Sequence, residues 1–216
     1  DLPTCIAASN GLLISGAKDC TARIWSLTEK KLLSTLIGHS TQVLAVSFVP
    51  KSDCVLTASN EIKLWRPIEG EKHIRSALST VIAHDKDINA IAVSIDGLLI
   101  CSGSDDHTAK LWRIDNDRIS PLSVLRGHRR AVTSVAFSPV EKLVATGSAD
   151  NSIRIWSVDS GSCISTYTEY SSSILRCVFI SNGYQIITGE SSGAMKVIRV
   201  KTGAVDFSND TAHSEN

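Results

Sequence analysis

The apolar positions of this chain fall in short alternating runs rather than along helical faces. Between residues 131 and 168 the runs are AVTSVAF (131–137), KLVATGS (142–148), SIRIWSV (152–158) and CISTYT (163–168). Each has strand length, β-branched or aromatic residues, and turn-forming residues at its ends. Ser138-Pro139 separates the first run from the second. Ala149-Asp150-Asn151 predicts a tight hairpin, because Asp and Asn bond their own backbone and tolerate unusual dihedrals. Asp159-Ser160-Gly161 turns the third run into the fourth. No helical period competes anywhere, so the pattern predicts an all-β chain.

The unit repeats. Trp25, Trp65, Trp112 and Trp156 stand 40, 47 and 44 residues apart, and Ile198 closes the strand MKVIRV 42 residues further on. Gly38-His39, Ala83-His84, Gly127-His128 and Ala212-His213 keep the same beat, with Glu169-Tyr170 in the remaining place. Two markers with one period divide the chain into about five copies, approximately 1–37, 38–82, 83–126, 127–168 and 169–211. One small sheet cannot bury both of its faces alone. Four strands in every forty-odd residues therefore predict about five stacked β-propeller blades and some twenty strands.

The paired Gly-His and strand-ending Trp motifs resemble the WD-repeat family over the whole chain, although Trp is followed here by Ser, Arg, Arg and Ser rather than Asp. Ten residues before the ring position stand Ser15, Ser102, Thr146 and Thr188, with Thr57 in the matching place of a shorter hairpin; six residues before it stand Asp19, Asp106 and Asp150. The resemblance implies a hydrogen-bonded tetrad at these positions, in which the indole donates to the hydroxyl, the hydroxyl contacts the histidine, and the other imidazole nitrogen faces the aspartate. Two tetrads are then complete: His84, Ser102, Asp106, Trp112 and His128, Thr146, Asp150, Trp156. The second copy keeps His39, Thr57 and Trp65 but lacks the aspartate. The fifth has Tyr170, Thr188, Ser192 and Ile198, so its polar network is expected to be lost. Propellers of this family usually close with seven blades, which implies a segment of a larger, tandem propeller.

Ser, His and Asp are also the parts of a nucleophilic triad, and GSDDHTAKLW (103–112) places two carboxylates and a histidine together. A catalytic triad would not recur in copy after copy facing a buried indole, and no nucleophile elbow is present. No enzyme activity is expected. His107 holds the hairpin position that Cys20 and Asn151 hold elsewhere, which predicts a solvated turn rather than a metal ligand. The six cysteines never fall as CxxC and mostly sit in apolar strands, so reduced, buried thiols are expected rather than metal ligands or disulfides; no cofactor is expected.

Composition narrows the partners. Lys+Arg and Asp+Glu are 22 each, which gives no bulk attraction to nucleic acid or to a membrane surface. No apolar run is long enough for a membrane helix. The loops carrying Asp85, Lys86 and Asp87, and Arg126, Arg129 and Arg130, fall on one rim, and such mixed charge suits protein contacts. Arg129 and Arg130 are also placed to touch an RNA phosphate, although sequence alone favours a solvated loop there. The long connection from Pro67 to Thr80 is a second candidate contact surface, on the opposite rim.

AHDKDINAIAVS (83–94), GSDDHTAKLW, RGHRRAVTSVAFSPVEKLVATGSADNSIRIWSVDSGSCISTY (126–167) and SILRCVFISNGYQIITG (173–189) closely resemble one branch of that family. It is the transducin-beta-like protein 3 family, known in fungi as U3 small nucleolar RNA-associated protein 13. The resemblance implies two tandem propellers, with this chain mapping mainly to the second. It further implies a scaffold subunit of the small-subunit processome, acting in 18S ribosomal RNA processing in the nucleolus of the nucleus. Partners would be other protein subunits of a ribonucleoprotein assembly, with only minor or indirect contact with U3 small nucleolar RNA or pre-ribosomal RNA. No membrane and no small-molecule substrate are implied. The competing reading is another WD-repeat interaction adaptor, such as a ubiquitin-ligase substrate receptor.

Overall fold

The alternating runs become strands in the structure, a computed structural model describing residues 2–68 and 70–212. His213, the last beat of the histidine series, lies outside the described residues. Among them are twenty-one strands and a single 3-10 turn at Ser181–Gly183, so the all-β class stands.

The first sheet takes β1 (Pro3–Ser9), β2 (Leu12–Ala17), β3 (Thr21–Ser26) and β4 (Lys31–Ile37) in sequence order. The second takes β5 (Ala45–Phe48), β6 (Val55–Ala58), β7 (Glu61–Trp65) and β9 (Ser79–Ile82), leaving β8 (His73–Ile74) to the first. The third holds β10 (Ile88–Val93), β11 (Leu99–Ser104), β12 (Thr108–Asp115) and β13 (Arg118–Arg126). The fourth holds β14 (Val132–Phe137), β15 (Leu143–Ser148), β16 (Ser152–Ser157) and β17 (Cys163–Tyr167). The fifth holds β18 (Ile174–Ile180), β19 (Gln185–Glu190), β20 (Met195–Arg199) and β21 (Val205–Asn209). Cys20, His107 and Asn151 each adopt a left-handed conformation, with φ of 64°, 70° and 60°, at the same hairpin position. His107 is exposed there.

The chain divides into two compact units, residues 1–100 with 112–122 and residues 101–111 with 123–216. In the first unit Trp65 packs among Ile14, Ile24, Leu36 and Val43 of the preceding sheet and its following loop. Trp112 packs in the same way among Leu56, Ile62, Leu64 and Ile88. In the second unit Ala145, Ile153 and Ile155 form a core with Ile174, Cys177, Ile186 and Ile198. Thr133 Oγ1 donates to the carbonyl of Ile174 at 2.5 Å and Cys177 N–H to Ser134 Oγ at 3.0 Å, tying the first strands of the fourth and fifth sheets. The glycine after the Ser/Thr of β2, β11 and β15 has a packing reason. A Cβ on Gly16, Gly103 or Gly147 would stand 2.6 Å from Cys5, Val132 or Ile174 respectively, closer than packed atoms tolerate.

Two features depart from expectation. The connection from Pro67 to Thr80 is not free loop. Its residues His73 and Ile74 form β8, which pairs parallel with Thr35 and Leu36 of β4 as a fifth strand. Thr35 N–H donates to the carbonyl of Lys72 at 2.9 Å, and Ser34 Oγ to that of Glu71 at 2.6 Å. A two-residue strand carries no periodicity, and it covers an edge that would otherwise present unpaired backbone groups. The cysteines also differ: all six are free, but only Cys54, Cys101 and Cys177 are buried, while Cys5 and Cys20 are half-buried and Cys163 is exposed.

Ile74 is 4% exposed and sits in the core with Leu36, whereas Ile82 is 82% exposed. Ile74→Ala is expected to cost about 2 kcal/mol or more, and Ile82→Ala less than about 0.5 kcal/mol. Urea midpoints measured at constant slope check this. Equal midpoints for the two variants would remove the core role of β8.

Candidate functional site: buried polar networks and an arginine-rich loop

In the fourth repeat β15 and β16 run antiparallel with Val144 opposite Trp156. Trp156 Nε1 donates to Thr146 Oγ1 at 2.8 Å, and His128 Nε2 lies 2.7 Å from the same hydroxyl. His128 Nδ1 is 3.0 Å from Asp150 Oδ2. That oxygen also accepts the backbone N–H of Arg129 at 2.9 Å, while Oδ1 accepts Ser152 N–H at 3.1 Å and Ser152 Oγ at 2.5 Å. The carboxylate accepts only, so Nδ1 must carry the imidazole proton. A neutral ring then leaves Nε2 bare, and the Thr146 hydroxyl donates to it while accepting the indole. Burial favours that neutral form by pushing the His128 pKa down, against the opposing pull of Asp150.

The second repeat builds the same chain with a different carboxylate. Trp65 Nε1 donates to Thr57 Oγ1 at 2.8 Å and His39 Nε2 is 2.6 Å from it. Here His39 Nδ1 meets Ser59 Oγ at 3.1 Å and Glu61 Oε1 at 3.3 Å. The aspartate that counting finds missing is replaced by Glu61, whose extra methylene reaches from a different position. Burial lowers the His39 pKa to about 4, with Glu61 raising it and Lys63 lowering it further.

The first and fifth repeats keep a carboxylate but no histidine. Trp25 Nε1 donates to Ser15 Oγ at 3.0 Å. Asp19 Oδ1 accepts Thr21 Oγ1 at 2.6 Å, and its Oδ2 pairs with Arg23 at 2.8 Å. In the fifth repeat the expected loss is corrected: Glu190, buried, replaces the network. Its Oε2 accepts Ser171 and Ser172 backbone N–H at 3.0 and 3.1 Å, and Lys196 Nζ lies 3.6 Å from Oε1. Tyr170 is buried, and Lys196 Nζ sits 5.1 Å from its ring centre.

The third repeat's residues are divided between the two units. His84 and Trp112 are buried in the first, and Ser102 is buried in the second. Asp106 Oδ1 accepts Thr108 N–H at 2.9 Å and Thr108 Oγ1 at 2.6 Å. Counting also missed a basic residue two positions before every ring residue: Arg23, Lys63, Lys110, Arg154 and Lys196. That signal is plain in the sequence once the copies are aligned.

None of these hydroxyls stands free as a nucleophile. Thr57, Thr146 and Ser102 are fully buried. No group of three or more metal-ligating side chains occurs among the described residues. The exposed chemistry is on the loops. Arg126, Arg129 and Arg130 are exposed in the second unit, and Lys86 is exposed in the first. The first unit also carries an open groove of about 1430 Å³, lined by Leu32, Phe48, Arg66, Ile68 and His73 among others. Part of the connection after Pro67 forms its wall.

Comparison with known proteins matches residues 4–26, 30–66, 75–113 and 119–157 to the family described as WD domain, G-beta repeat. Nuclear distribution protein nudF of Aspergillus flavus is 34% identical over 106 residues, 47% of this chain and 22% of that protein. U3 small nucleolar RNA-associated protein 13 of Saccharomyces cerevisiae is 35% identical over 130 residues, 52% of this chain and 16% of that protein. Transducin beta-like protein 3 of Bos taurus is 33% identical over 110 residues, 51% of this chain and 10% of that protein. The chain thus spans under a quarter of each of these relatives.

Both buried histidines titrate below their ordinary value, so the unfolded chain takes up protons first as pH falls. Their contribution is complete above about pH 6.5 and drains toward about pH 4, the value at His39. Asp19 and Asp150 act in a lower window. Burial raises both, but hydrogen bonds from Thr21 and Arg23, and from Ser152 and Arg129, outweigh it and hold each near 2. They lose their contribution between about pH 4 and 2. Between pH 7 and 5 the urea midpoint should therefore fall, and His39→Gln should flatten that slope. His128→Ala should cost roughly 1–3 kcal/mol at pH 7, because Thr146 and Asp150 lose a buried partner. An unchanged midpoint in His128→Ala would remove its structural role.

Proposed function

The chain belongs to the WD-repeat family, and from that premise we propose that it is a non-catalytic scaffold subunit of the small-subunit processome. In this reading it serves the U3 small nucleolar ribonucleoprotein in 18S ribosomal RNA processing, in the nucleolus. The observation that carries the reading is the likeness to U3 small nucleolar RNA-associated protein 13 over half of this chain. Fold alone would not carry it, since one architecture hosts many functions. The buried networks are then structural. Their copies, approximately 1–37, 38–82, 83–126, 127–168 and 169–211, build one propeller segment.

Partner contact falls to the exposed loops. Arg126, Arg129 and Arg130, with Lys86, meet other protein subunits of the assembly, and contact with U3 small nucleolar RNA or pre-ribosomal RNA is minor or indirect. Interfaces concentrate their energy in a few residues, with arginine favoured where a planar fork can clamp a carboxylate or phosphate. No cofactor takes part. The likeness to nuclear distribution protein nudF favours a second reading, a WD-repeat adaptor working outside ribosome assembly.

Arg129 contributes its backbone N–H, not its side chain, to Asp150. Reversing Arg129 and Arg130 to Glu should therefore move the urea midpoint by less than about 0.5 kcal/mol. Affinity purification of the full-length protein should recover processome subunits and U3 RNA, with lower yield from the double reversal. Recovery of ubiquitin-ligase or other adaptor complexes instead would transfer the assignment to the second reading.

A further inference from the structure

Arg154 stands out among the basic residues at its repeat position. Its counterpart Arg23 pairs with Asp19 at 2.8 Å, Lys63 with Glu61 at 3.2 Å, and Lys196 with Glu190 at 3.6 Å. Arg154 has no ion-pair partner among the described residues. Its Nη1 reaches only Cys163 Sγ, at 3.9 Å, and its Nε is buried without a hydrogen-bond partner.

The cause is visible in the carboxylate. Asp-x-Thr-x-Arg (19–23) and Asp-x-Ser-x-Arg (150–154) are the same motif. In both, Oδ1 is held by the hydroxyl and N–H two residues on. Asp19 gives its Oδ2 to Arg23, whereas Asp150 gives its Oδ2 to His128 and to the backbone of Arg129. The histidine has displaced the arginine from its acid.

The freed guanidinium lies directly under the loop. A Cβ on Gly127 would stand 2.8 Å from Arg154 Nη1, so the guanidinium packs close against the loop backbone there. The same loop carries Arg126, Arg129 and Arg130, all exposed and none in an ion pair among the described residues. Four guanidiniums thus gather on one loop and the strand beneath it. The one carboxylate bonded there, Asp150, is committed to four other donors.

We propose that Arg154 and the 126–130 loop form an anion site for a carboxylate of an acidic peptide segment on a protein partner, with Arg154 as its half-buried anchor. A guanidinium fork matches a carboxylate in two parallel hydrogen bonds, and partial burial strengthens the attraction. RNA fits less well. A phosphate backbone is held by a line of basic contacts, whereas this cluster is confined to one loop and one strand of a chain with no net charge. The inference rests on the reading of this loop as a docking surface.

The test is fluorescence anisotropy on the folded chain with labelled octaglutamate, octaglutamine as control and oligouridylate as competitor. Octaglutamate should bind in a salt-dependent way and octaglutamine should not. Arg154→Met should weaken binding about tenfold or more, and Arg154→Lys should recover part of the loss. If Arg154→Met fails to fold, the exposed pair Arg126→Gln/Arg130→Gln decides, and its loss of octaglutamate binding supports the site. Unchanged octaglutamate binding in a folded Arg154→Met protein overturns the proposal. Oligouridylate binding more tightly than octaglutamate, and lost in Arg154→Met, overturns it in favour of nucleic acid. Octaglutamate binding that depends on Arg154, in a protein that recovers no processome subunits, would keep the site and sink the functional reading instead.

Discussion

A buried indole N–H must find an acceptor, and much of each repeat is arranged around that requirement. Trp156 is 2% exposed and its nitrogen donates to Thr146, itself fully buried. The hydroxyl has a hydrogen left to give, and His128 takes it. The imidazole then presents its own N–H, which Asp150 accepts, and Asp150 in turn takes the backbone N–H of Arg129. Each link is worth about 1 kcal/mol net, but breaking any one leaves a buried group unpaired at a cost of about 1–3 kcal/mol. The chain of bonds therefore runs from the sheet core to the loop that enters the repeat, and it fixes where that loop sits.

The requirement is for a charge in a place, not for a residue at a position. Asp19, Glu61, Asp150 and Glu190 stand six, four, six and eight residues before their ring positions. Each ends beside a backbone or side-chain donor of the incoming loop or hairpin. In the fifth repeat the glutamate meets the loop directly, accepting Ser171 and Ser172 N–H with no imidazole between. Where histidine is absent, the basic residue of the third strand takes the carboxylate; in the fourth repeat, where histidine is present and the acid is Asp150, Arg154 is displaced. Glu61 is the intermediate case, near both His39 at 3.3 Å and Lys63 at 3.2 Å.

Strands, hairpins and ring positions were legible because their signals are local: alternation, Asp-Asn turns and a repeating tryptophan. The grouping of Trp156, Thr146, His128 and Asp150 was legible through the resemblance to the WD-repeat family, whose tetrad positions these residues match. Glu61 and Glu190 were not. Counting at constant offset cannot see that a longer side chain reaches the same point from another Cα. Nor was β8 legible, since its two residues pair with a strand nearly forty residues earlier, and nothing in its own pattern distinguishes it from loop.

This partition of charge also bears on function. The networks use their carboxylates internally, so acids are drawn toward the sheet while arginines remain on the loop. Asp150 shows the effect at one site: four donors hold it near a pKa of 2, and it has little capacity left for Arg154. A chain with equal numbers of acids and bases can in this way present a locally cationic loop without any excess of basic residues. Such a surface attracts over short range only, since exposed charges are screened beyond about 8–10 Å in physiological salt. It discriminates between partners by fit rather than by long-range pull.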